Sequence, residues 1–221
     1  MKKKLQVLSI SLALASATGI LHAEGNIDAG KQKAESCASC HGEGGNSMVP
    51  TFPKLAQQHP SYLKQQLNAF KDGSRTDPMM SAMAMSLSDE DIADISAYYA
   101  TQKISPNTLP VPETDDDAEP TAESKAAVQE LIAQGGDLYR NGNLASEVSA
   151  CIACHGPFGE GNKPASFPAL RWQHADYLIK ALTDFKTGAR SNNPENMMHM
   201  IAKKMTAKEI QAVSYRISMM K

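Results

Sequence analysis

Apolar residues recur at helical spacing in two separate stretches of the chain. Intervals of four and then three residues separate two equivalent sets of side chains: Leu63, Leu67 and Phe70, and Leu178, Leu182 and Phe185. This spacing places the side chains on one face of an α-helix. No segment shows the strict alternation of apolar and polar residues that is typical of a half-buried strand. The pattern therefore predicts an all-α fold.

Two further helices are predicted from the residues at their starts. Ser88 followed by Asp91, and Thr206 followed by Glu209, have the spacing of a capping box, in which two side chains satisfy free backbone N–H groups. The helices are expected to run from Asp89 to about residue 101 and from Ala207 to about residue 219. A longer helix is expected over about 124–140.

The two halves of the chain repeat one another. The segment Cys37–Gly42 reads Cys-Ala-Ser-Cys-His-Gly, and Cys151–Gly156 repeats its Cys-x-x-Cys-His-Gly pattern at an offset of 114 residues. Phe-Pro-x-Leu, Gln-His-x-x-Tyr-Leu and Phe-Lys-x-Gly-x-Arg segments recur at an offset of 115 residues. Internal repetition of this length predicts two related domains, which we place at residues 24–104 and 124–221.

The remaining segments have different compositions. Residues 105–123 contain four prolines and an acidic run, which predicts an extended and exposed linker. Residues 1–23 have three lysines directly after Met1, continue with an apolar stretch and end in Ala23, as a secretory signal peptide does. The apolar stretch is short and interrupted by Ser and Thr, which argues against a membrane anchor.

Charge differs between the two predicted domains. Without the signal peptide the chain has 19 basic and 24 acidic residues, a balance that argues against a nucleic-acid partner. Residues 24–110 hold seven basic and ten acidic side chains, whereas residues 126–221 hold eleven basic and eight acidic ones. This difference could steer two redox partners to different domains, or it could serve solubility alone.

All four cysteines of the chain lie in the two Cys-x-x-Cys-His motifs. This motif is typical of c-type haem attachment, in which both thiols form thioethers and the histidine binds the iron. A zinc site would not explain the histidine at the same place in both motifs. A thioredoxin-like redox pair would need a strand–helix setting, and the close spacing of the cysteines is poor for two structural disulfides. We therefore predict two covalently bound haem c groups. The attachment residues are Cys37, Cys40, Cys151 and Cys154, and the proximal ligands are His41 and His155.

The sixth iron ligand is predicted from the repeat. Met80 lies seven residues before Leu87, and Met198 lies seven residues before Met205, just ahead of the two capping boxes. Methionine opposite histidine is one of the ligand pairs used by cytochromes c. The adjacent pair Met79 and Met197 remains an alternative. A bis-histidine site using the equivalent residues His59 and His174 also remains open.

Two pairs of equivalent residues are predicted near the haem groups. Pro53 and Pro168 are expected to offer a backbone carbonyl to the far nitrogen of each proximal histidine, which would orient the ring. Arg75 and Arg190 are expected either to pair with haem propionates or to be solvated surface charges.

These motifs together resemble the dihaem cytochrome c4 family. The resemblance covers nearly all of the chain after the signal peptide. It implies two class I cytochrome c domains that face each other across a pseudo-twofold interface. It also implies iron bound by His41 with Met80 and by His155 with Met198, in a periplasmic protein that passes electrons towards a terminal oxidase. The long acidic linker departs from the compact connection expected in that family.

Three functions are compatible with two haem domains. A carrier without enzyme activity would shuttle electrons between a donor such as a quinol–cytochrome c reductase and an acceptor such as a terminal oxidase. It would have no small-molecule substrate, and peripheral association with the inner membrane is compatible with this role. A dihaem enzyme of the peroxidase or thiosulfate-oxidising type would need a labile iron ligand. The chain could also be the electron-accepting cytochrome subunit of a dehydrogenase complex.

Overall fold

The structure is a computed structural model that describes residues 25–110 and 121–221. The predicted signal peptide and the central part of the linker lie outside these residues. The described residues form ten α-helices. They are α1 (Ile27–Lys33), α2 (Glu35–His41), α3 (Pro60–Asp72), α4 (Pro78–Met85), α5 (Asp89–Thr101), α6 (Ala122–Asn141), α7 (Ile152–His155), α8 (Ala175–Thr187), α9 (Met197–Ala202) and α10 (Ala207–Ser218). Two isolated β-bridges occur there and no strand, so the all-α prediction is confirmed.

Both predicted capping boxes are present. The Ser88 hydroxyl accepts the backbone N–H of Asp91, whose carboxylate accepts the N–H of Ser88, and Thr206 pairs with Glu209 in the same way. Helix α5 has the predicted bounds, and α10 ends one residue before the expected end. Helix α6 begins at Ala122, so the last two residues of the predicted linker already belong to its first turn.

Each domain is built around a crossing of its first and last helices. Helix α1 packs on α5, and α6 packs on α10. Glycine allows the close approach in both cases, because a Cβ atom at Gly30 would overlap the carbonyl group of Asp94 and one at Gly135 would overlap that of Ala212. Helices α3 and α8 complete the two cores by packing on α5 and α10.

The two helix crossings fill their cores with tyrosine from opposite helices. In the first domain Tyr99 of α5 is buried in one cluster with Ala34, the residue that follows α1. In the second domain Tyr139 of α6 is buried in one cluster with Ile217 of α10. Counted from the crossing glycines, Ala34 and Tyr139 occupy equivalent positions. The large side chain has therefore changed helix between the repeats.

The domains contact each other through hydrogen bonds that come in equivalent pairs. His59 Nε2 is 2.7 Å from the carbonyl oxygen of Glu160, and His174 Nε2 is 2.9 Å from that of Ser47. Because carbonyl oxygens only accept, both histidines donate across the interface. Each bond joins the residue before α3 or α8 to the loop that follows the cysteine motif of the other domain. The pairing agrees with the pseudo-twofold interface that the family resemblance implies.

The beginning of the predicted linker is bound between the domains. Lys54 Nζ donates to the Ser105 carbonyl at 2.7 Å and to Asn107 Oδ1 at 2.6 Å. Asn107 Nδ2 in turn donates to three carbonyl oxygens of the second domain, those of Trp172, Gln173 and Ser218. The prediction of an exposed linker was therefore wrong for Ser105 and Asn107. Ser105 is bound to the first domain through Lys54 and Asn46, and Asn107 joins the two domains.

Candidate haem sites

The first cysteine motif occupies helix α2. The side chain of His41, the last residue of α2, is only 6% exposed. Its Nδ1 donates to the Pro53 carbonyl oxygen at 2.8 Å, which confirms the predicted contact. Burial lowers the pKa of His41, so the ring is held in the neutral form that binds a metal. With the proton on Nδ1, the lone pair of Nε2 is left for iron.

The second motif reproduces this geometry on the short helix α7. His155 is 8% exposed, and its Nδ1 donates to the Pro168 carbonyl oxygen at 3.1 Å. Burial lowers the pKa of His155 as well. Among the described residues, Nε2 of neither proximal histidine makes a hydrogen bond. In both rings the Nδ1–carbonyl contact therefore leaves the lone pair of Nε2 available to a metal.

The four cysteines are all free thiols and are half-buried. Burial raises the pKa of Cys37, and it raises that of Cys151 to about 11. No disulfide joins Cys37 to Cys40 or Cys151 to Cys154. Across the two described ranges, His, Cys, Asp and Glu residues form no cluster of three or more that could hold a metal ion. Both thiols of each motif are therefore available to form thioether bonds.

The register of the methionines is indicated by a buried alanine in each repeat. Ala84 in α4 and Ala202 in α9 are both fully buried. Met80 and Met198 lie four residues earlier, which places each on the same helix face as its alanine. Both of these methionines are half-buried.

The rival methionines are more exposed, although one of them reaches the first motif. Met79 is 50% exposed and Met197 is 36% exposed. Met79 Sδ lies 4.0 Å from the Cys40 sulfur, so this side chain also borders the first haem site. The helix face that carries the buried Ala84 nevertheless favours Met80 over Met79.

Side-chain caps hold the backbone at both methionine positions. Asp77 Oδ1 accepts the N–H groups of Met79 at 3.0 Å and Met80 at 2.9 Å. Asn193 Oδ1 accepts the N–H of Met198 at 2.8 Å. Asp77 is the N-cap of α4 and satisfies free N–H groups at its start. Asn193 lies three residues before the residue that precedes α9, and it binds the second N–H of that helix from the preceding turn.

The histidines that compete for the iron are engaged elsewhere. His59 and His174 both use Nε2 in the hydrogen bonds across the domain interface. His199, next to Met198, donates from Nδ1 to the Phe185 carbonyl at 2.7 Å. These contacts argue against the bis-histidine alternative. They also show that His59 and His174 join the domains rather than only preceding a surface helix.

Two arginines at the interface fit the propionates of a haem. Arg190 is 7% exposed, lies over the Phe185 ring at 4.4 Å and donates to Gln66 Oε1 at 2.8 Å. Arg75 lies over the Phe70 ring at the same distance and donates to the same oxygen at 2.9 Å. No carboxylate within residues 25–110 and 121–221 forms an ion pair with either guanidinium. Buried cations require a partner of opposite charge, which a propionate carboxylate would provide.

Comparison with known proteins agrees with this geometry. The sequence model of the cytochrome c family matches residues 27–103 and 132–218, one match in each domain. The chain is 43% identical to cytochrome c4 of Pseudomonas aeruginosa over 97% of this chain and 96% of that protein. The chain belongs to the cytochrome c4 family. Its two motifs accordingly carry two covalently bound haem c groups, which supply the one-electron iron couple.

Further relatives support the fold. The crystal structure of reduced recombinant cytochrome c4 from Pseudomonas stutzeri superposes with a TM-score of 0.78 at 38% identity, covering 89% of this cytochrome and all of that chain. The thiosulfate dehydrogenase electron acceptor of Thiomonas intermedia is 37% identical over 82% of this chain and 77% of that protein. These similarities confirm two tandem class I cytochrome c domains with an electron-transfer function.

Proposed function

We propose that the chain is a periplasmic carrier that moves electrons between protein partners through two haems with filled coordination spheres. The proposed thioether residues are Cys37 and Cys40 in the first domain and Cys151 and Cys154 in the second. The proposed iron ligands are His41 with Met80 and His155 with Met198. The observation that carries the proposal is a set that both domains repeat: a buried histidine bound to a carbonyl group, and a methionine on the same helix face as a fully buried alanine.

This ligand set supports a carrier rather than an enzyme. A six-coordinate iron exchanges electrons with little rearrangement and leaves no position for substrate, whereas haem enzymes need an open or labile position. Since both domains carry the same arrangement, neither is distinguished as a substrate site. We therefore propose that the chain has no enzyme activity and no small-molecule substrate. The proposed domain bounds are 24–104 and 124–221, with the second extended to Ala122 by the start of α6.

Exposed methionines support docking of redox partners at the haem edges. Helix α4 exposes Met79, Met83 and Met85, and Met197 and Met200 of α9 are also exposed. Methionine adapts its shape to different partner surfaces. The opposite net charges of residues 24–110 and 126–221 would favour a different partner at each domain. A quinol–cytochrome c reductase and a terminal oxidase are the proposed donor and acceptor.

The proposed location rests on the sequence of the first 23 residues and on the chemistry of haem attachment. A secretory signal peptide would deliver the chain to the compartment in which c-type haems are attached in bacteria. In the part of the chain that the structure describes, none of the helices has the length and apolar character needed to cross a membrane. We propose a periplasmic protein whose association with the inner membrane is peripheral.

A second partner class is favoured by the relatives named thiosulfate dehydrogenase electron acceptor. In this alternative the chain would accept electrons from a dehydrogenase whose chemistry lies in another polypeptide. Reduction of the oxidised cytochrome by a thiosulfate dehydrogenase with thiosulfate, compared with reduction by a quinol–cytochrome c reductase, distinguishes the two donors. The faster reaction at equal enzyme concentration identifies the donor class.

The carrier function is tested by the visible spectrum of the purified haem protein with and without carbon monoxide. We expect two low-spin haems per chain, a sulfur-to-iron band in the oxidised form and no spectral change with carbon monoxide. A high-spin fraction, or carbon monoxide binding at one haem, would contradict the carrier function for that domain and favour an enzyme.

A further inference from the structure

A buried glutamine of the second domain holds the peptide that supports the proximal histidine of the first. Gln173 is 6% exposed, and its Oε1 accepts the backbone N–H of Lys54 at 2.8 Å. Its Nε2 donates to the Lys54 carbonyl oxygen at 3.0 Å. Lys54 directly follows Pro53, whose carbonyl accepts the hydrogen bond from His41. The contact therefore reaches the first haem site from the other domain.

A glutamine of the first domain makes the equivalent contact with the second domain. Gln58 is 7% exposed, and its Oε1 accepts the N–H of Ala169 at 2.9 Å while its Nε2 donates to the Ala169 carbonyl at 2.9 Å. Ala169 follows Pro168, whose carbonyl binds the ring of His155. Both proximal histidines are thus supported by a side chain from the opposite domain.

The orientation of each carboxamide is fixed by its own chain. Gln58 Oε1 also accepts the N–H of His59 at 3.0 Å, and Gln173 Oε1 accepts that of His174 at 3.1 Å. An exchange of oxygen and nitrogen would place an NH₂ group against two N–H donors, which hydrogen bonding does not allow. The buried amides are held in one orientation that matches the peptide they bind.

One rigid peptide unit joins the glutamine to the histidine. The carbonyl of Pro53 and the N–H of Lys54 belong to the same planar peptide group. Gln173 accepts a hydrogen bond from its N–H end, and His41 donates one to its carbonyl end. Hydrogen bonds in such a chain polarise and strengthen one another. The glutamine therefore makes the carbonyl a better acceptor and keeps it aimed at the ring.

We propose that Gln58 and Gln173 are positioning residues that act crosswise, each tuning the reduction potential of the haem in the other domain. The proposal rests on the proposed ligation by His41 and His155. A stronger bond to Nδ1 makes the imidazole a more basic ligand, and a more basic ligand stabilises oxidised iron. Loss of a glutamine should raise the potential of the opposite haem and leave that of its own domain unchanged.

The test compares Gln58→Met and Gln173→Met in the complete haem protein. Methionine has a similar length but cannot hydrogen bond in the same way. We expect Gln58→Met to shift the reduction equilibrium of the His155 haem about two- to fivefold, or about 18–41 mV at about 59 mV per tenfold for one electron. Gln173→Met should shift the His41 haem by a similar amount. Each potential is assigned by NMR of the haem methyl groups during stepwise reduction.

A matched control removes a hydrogen bond across the interface without touching either peptide. Ser61 Oγ donates to the Lys163 carbonyl at 2.7 Å near the surface, so Ser61→Ala should change neither potential. Gln58→Asn keeps the amide but shortens the side chain, and it should still shift only the His155 haem if Gln58→Met fails to fold. The Nδ1–H resonance of the opposite proximal histidine should also exchange faster with water in both glutamine variants.

The outcomes separate this proposal from the proposed function. If the glutamine variants shift the haem of their own domain, shift both haems equally or shift neither, the crosswise role is overturned while the carrier function stands. If the visible spectrum of the unmodified protein does not show two low-spin histidine–methionine haems, that result contradicts the proposed function independently of the glutamine variants.

Discussion

Arg190 Nη2 lies 3.0 Å from the hydroxyl oxygen of Tyr62, although the two residues belong to different domains. The equivalent pair, Arg75 Nη2 and the Tyr177 hydroxyl, is 3.3 Å apart. Burial opposes ionisation of Tyr177, but the charges of Arg75 and Arg190 outweigh it and lower its pKa to about 8. The interface therefore has a positive potential that favours negatively charged groups.

The two tyrosines should differ in how strongly they join the domains. We expect Tyr62→Phe to lower the free energy of unfolding by about 1–2 kcal/mol, because it removes a hydrogen bond from a buried charged group. Tyr177→Phe should cost less, since its bond to Arg75 is longer and Arg75 is only half-buried. Guanidinium unfolding curves of the two variants measure the difference. An equal or reversed order would show that bond length and burial do not control these contacts.

Met80 should be required for the spectrum of the first haem. In Met80→Leu we expect loss of about half of the sulfur-to-iron band and binding of carbon monoxide at one haem, because leucine cannot ligate iron. Met79→Leu serves as the control and should leave both properties unchanged. The opposite result would assign the ligand to Met79, which borders Cys40.

The cap at Asp77 should stabilise the bond between methionine and iron. Asp77→Ala removes the acceptor of two backbone N–H groups at the start of α4, a change that costs about 1 kcal/mol in typical helices. The sulfur-to-iron band of the first haem should therefore disappear at lower guanidinium concentration. Asp72→Ala is the matched control, because Asp72 accepts the N–H of Ser74 in an exposed turn. If the sulfur-to-iron band disappears at the same guanidinium concentration in both variants, the cap does not have this role.

Acid should weaken the first domain through one cluster of charges. Lys33 Nζ lies 2.7 Å from carboxylate oxygens of both Asp91 and Asp94, and hydrogen bonds from Lys33 lower the pKa of both acids below the usual 3.8. Below about pH 4 the two aspartates therefore bind more protons in the unfolded chain than in the folded one. The stabilisation is complete above about pH 4 and is lost as the pH falls through the lowered pKa values.

The lysine variant tests this acid dependence. Lys33→Met should flatten the decrease in unfolding free energy between about pH 4 and pH 2, as measured by circular dichroism during denaturant titration. Lys31→Met is the control, because Lys31 lies exposed on the same helix. The second domain has Leu138 and Ala212 at the positions equivalent to Lys33 and Asp94. Its unfolding free energy should therefore lack this dependence on acid pH. An unchanged pH profile in Lys33→Met would contradict the prediction.

The sequence predicts the parts of the sites that lie close together along the chain. Cys37 to His41 form one helix, and the Pro53 carbonyl lies only twelve residues from the ring it binds. Capping chemistry predicts the start of α5 and α10 because the signal is contained in four residues. The methionine register follows from the repeat, and the lower exposure of Met80 and Met198 favours them over Met79 and Met197.

Contacts between the domains could not be predicted in this way. Gln173 and Lys54 are 119 residues apart, and no local pattern links an amide to a particular peptide. The repeated Gln-His pair was visible in the sequence, but polar residues are common directly before a helix. The pair therefore gave no sign of a contact between domains. Similarly, Ser105 and Asn107 lie in a proline-rich segment whose composition predicts exposure. They are half-buried because of contacts with Lys54 and with carbonyl groups that only the folded interface brings together.

The exchange of tyrosine between helices means that the repeats are no longer interchangeable. A chimaera that placed α6 against α5 would bring Tyr139 and Tyr99 into one core and crowd it. The reciprocal chimaera would leave Ala34 facing Ile217, with a void where an aromatic ring had been. Although the duplication is still visible in the motifs, each half has diverged to fit only its own partner helix. Recombination between the repeats would therefore yield unstable proteins even when every haem-binding residue is preserved.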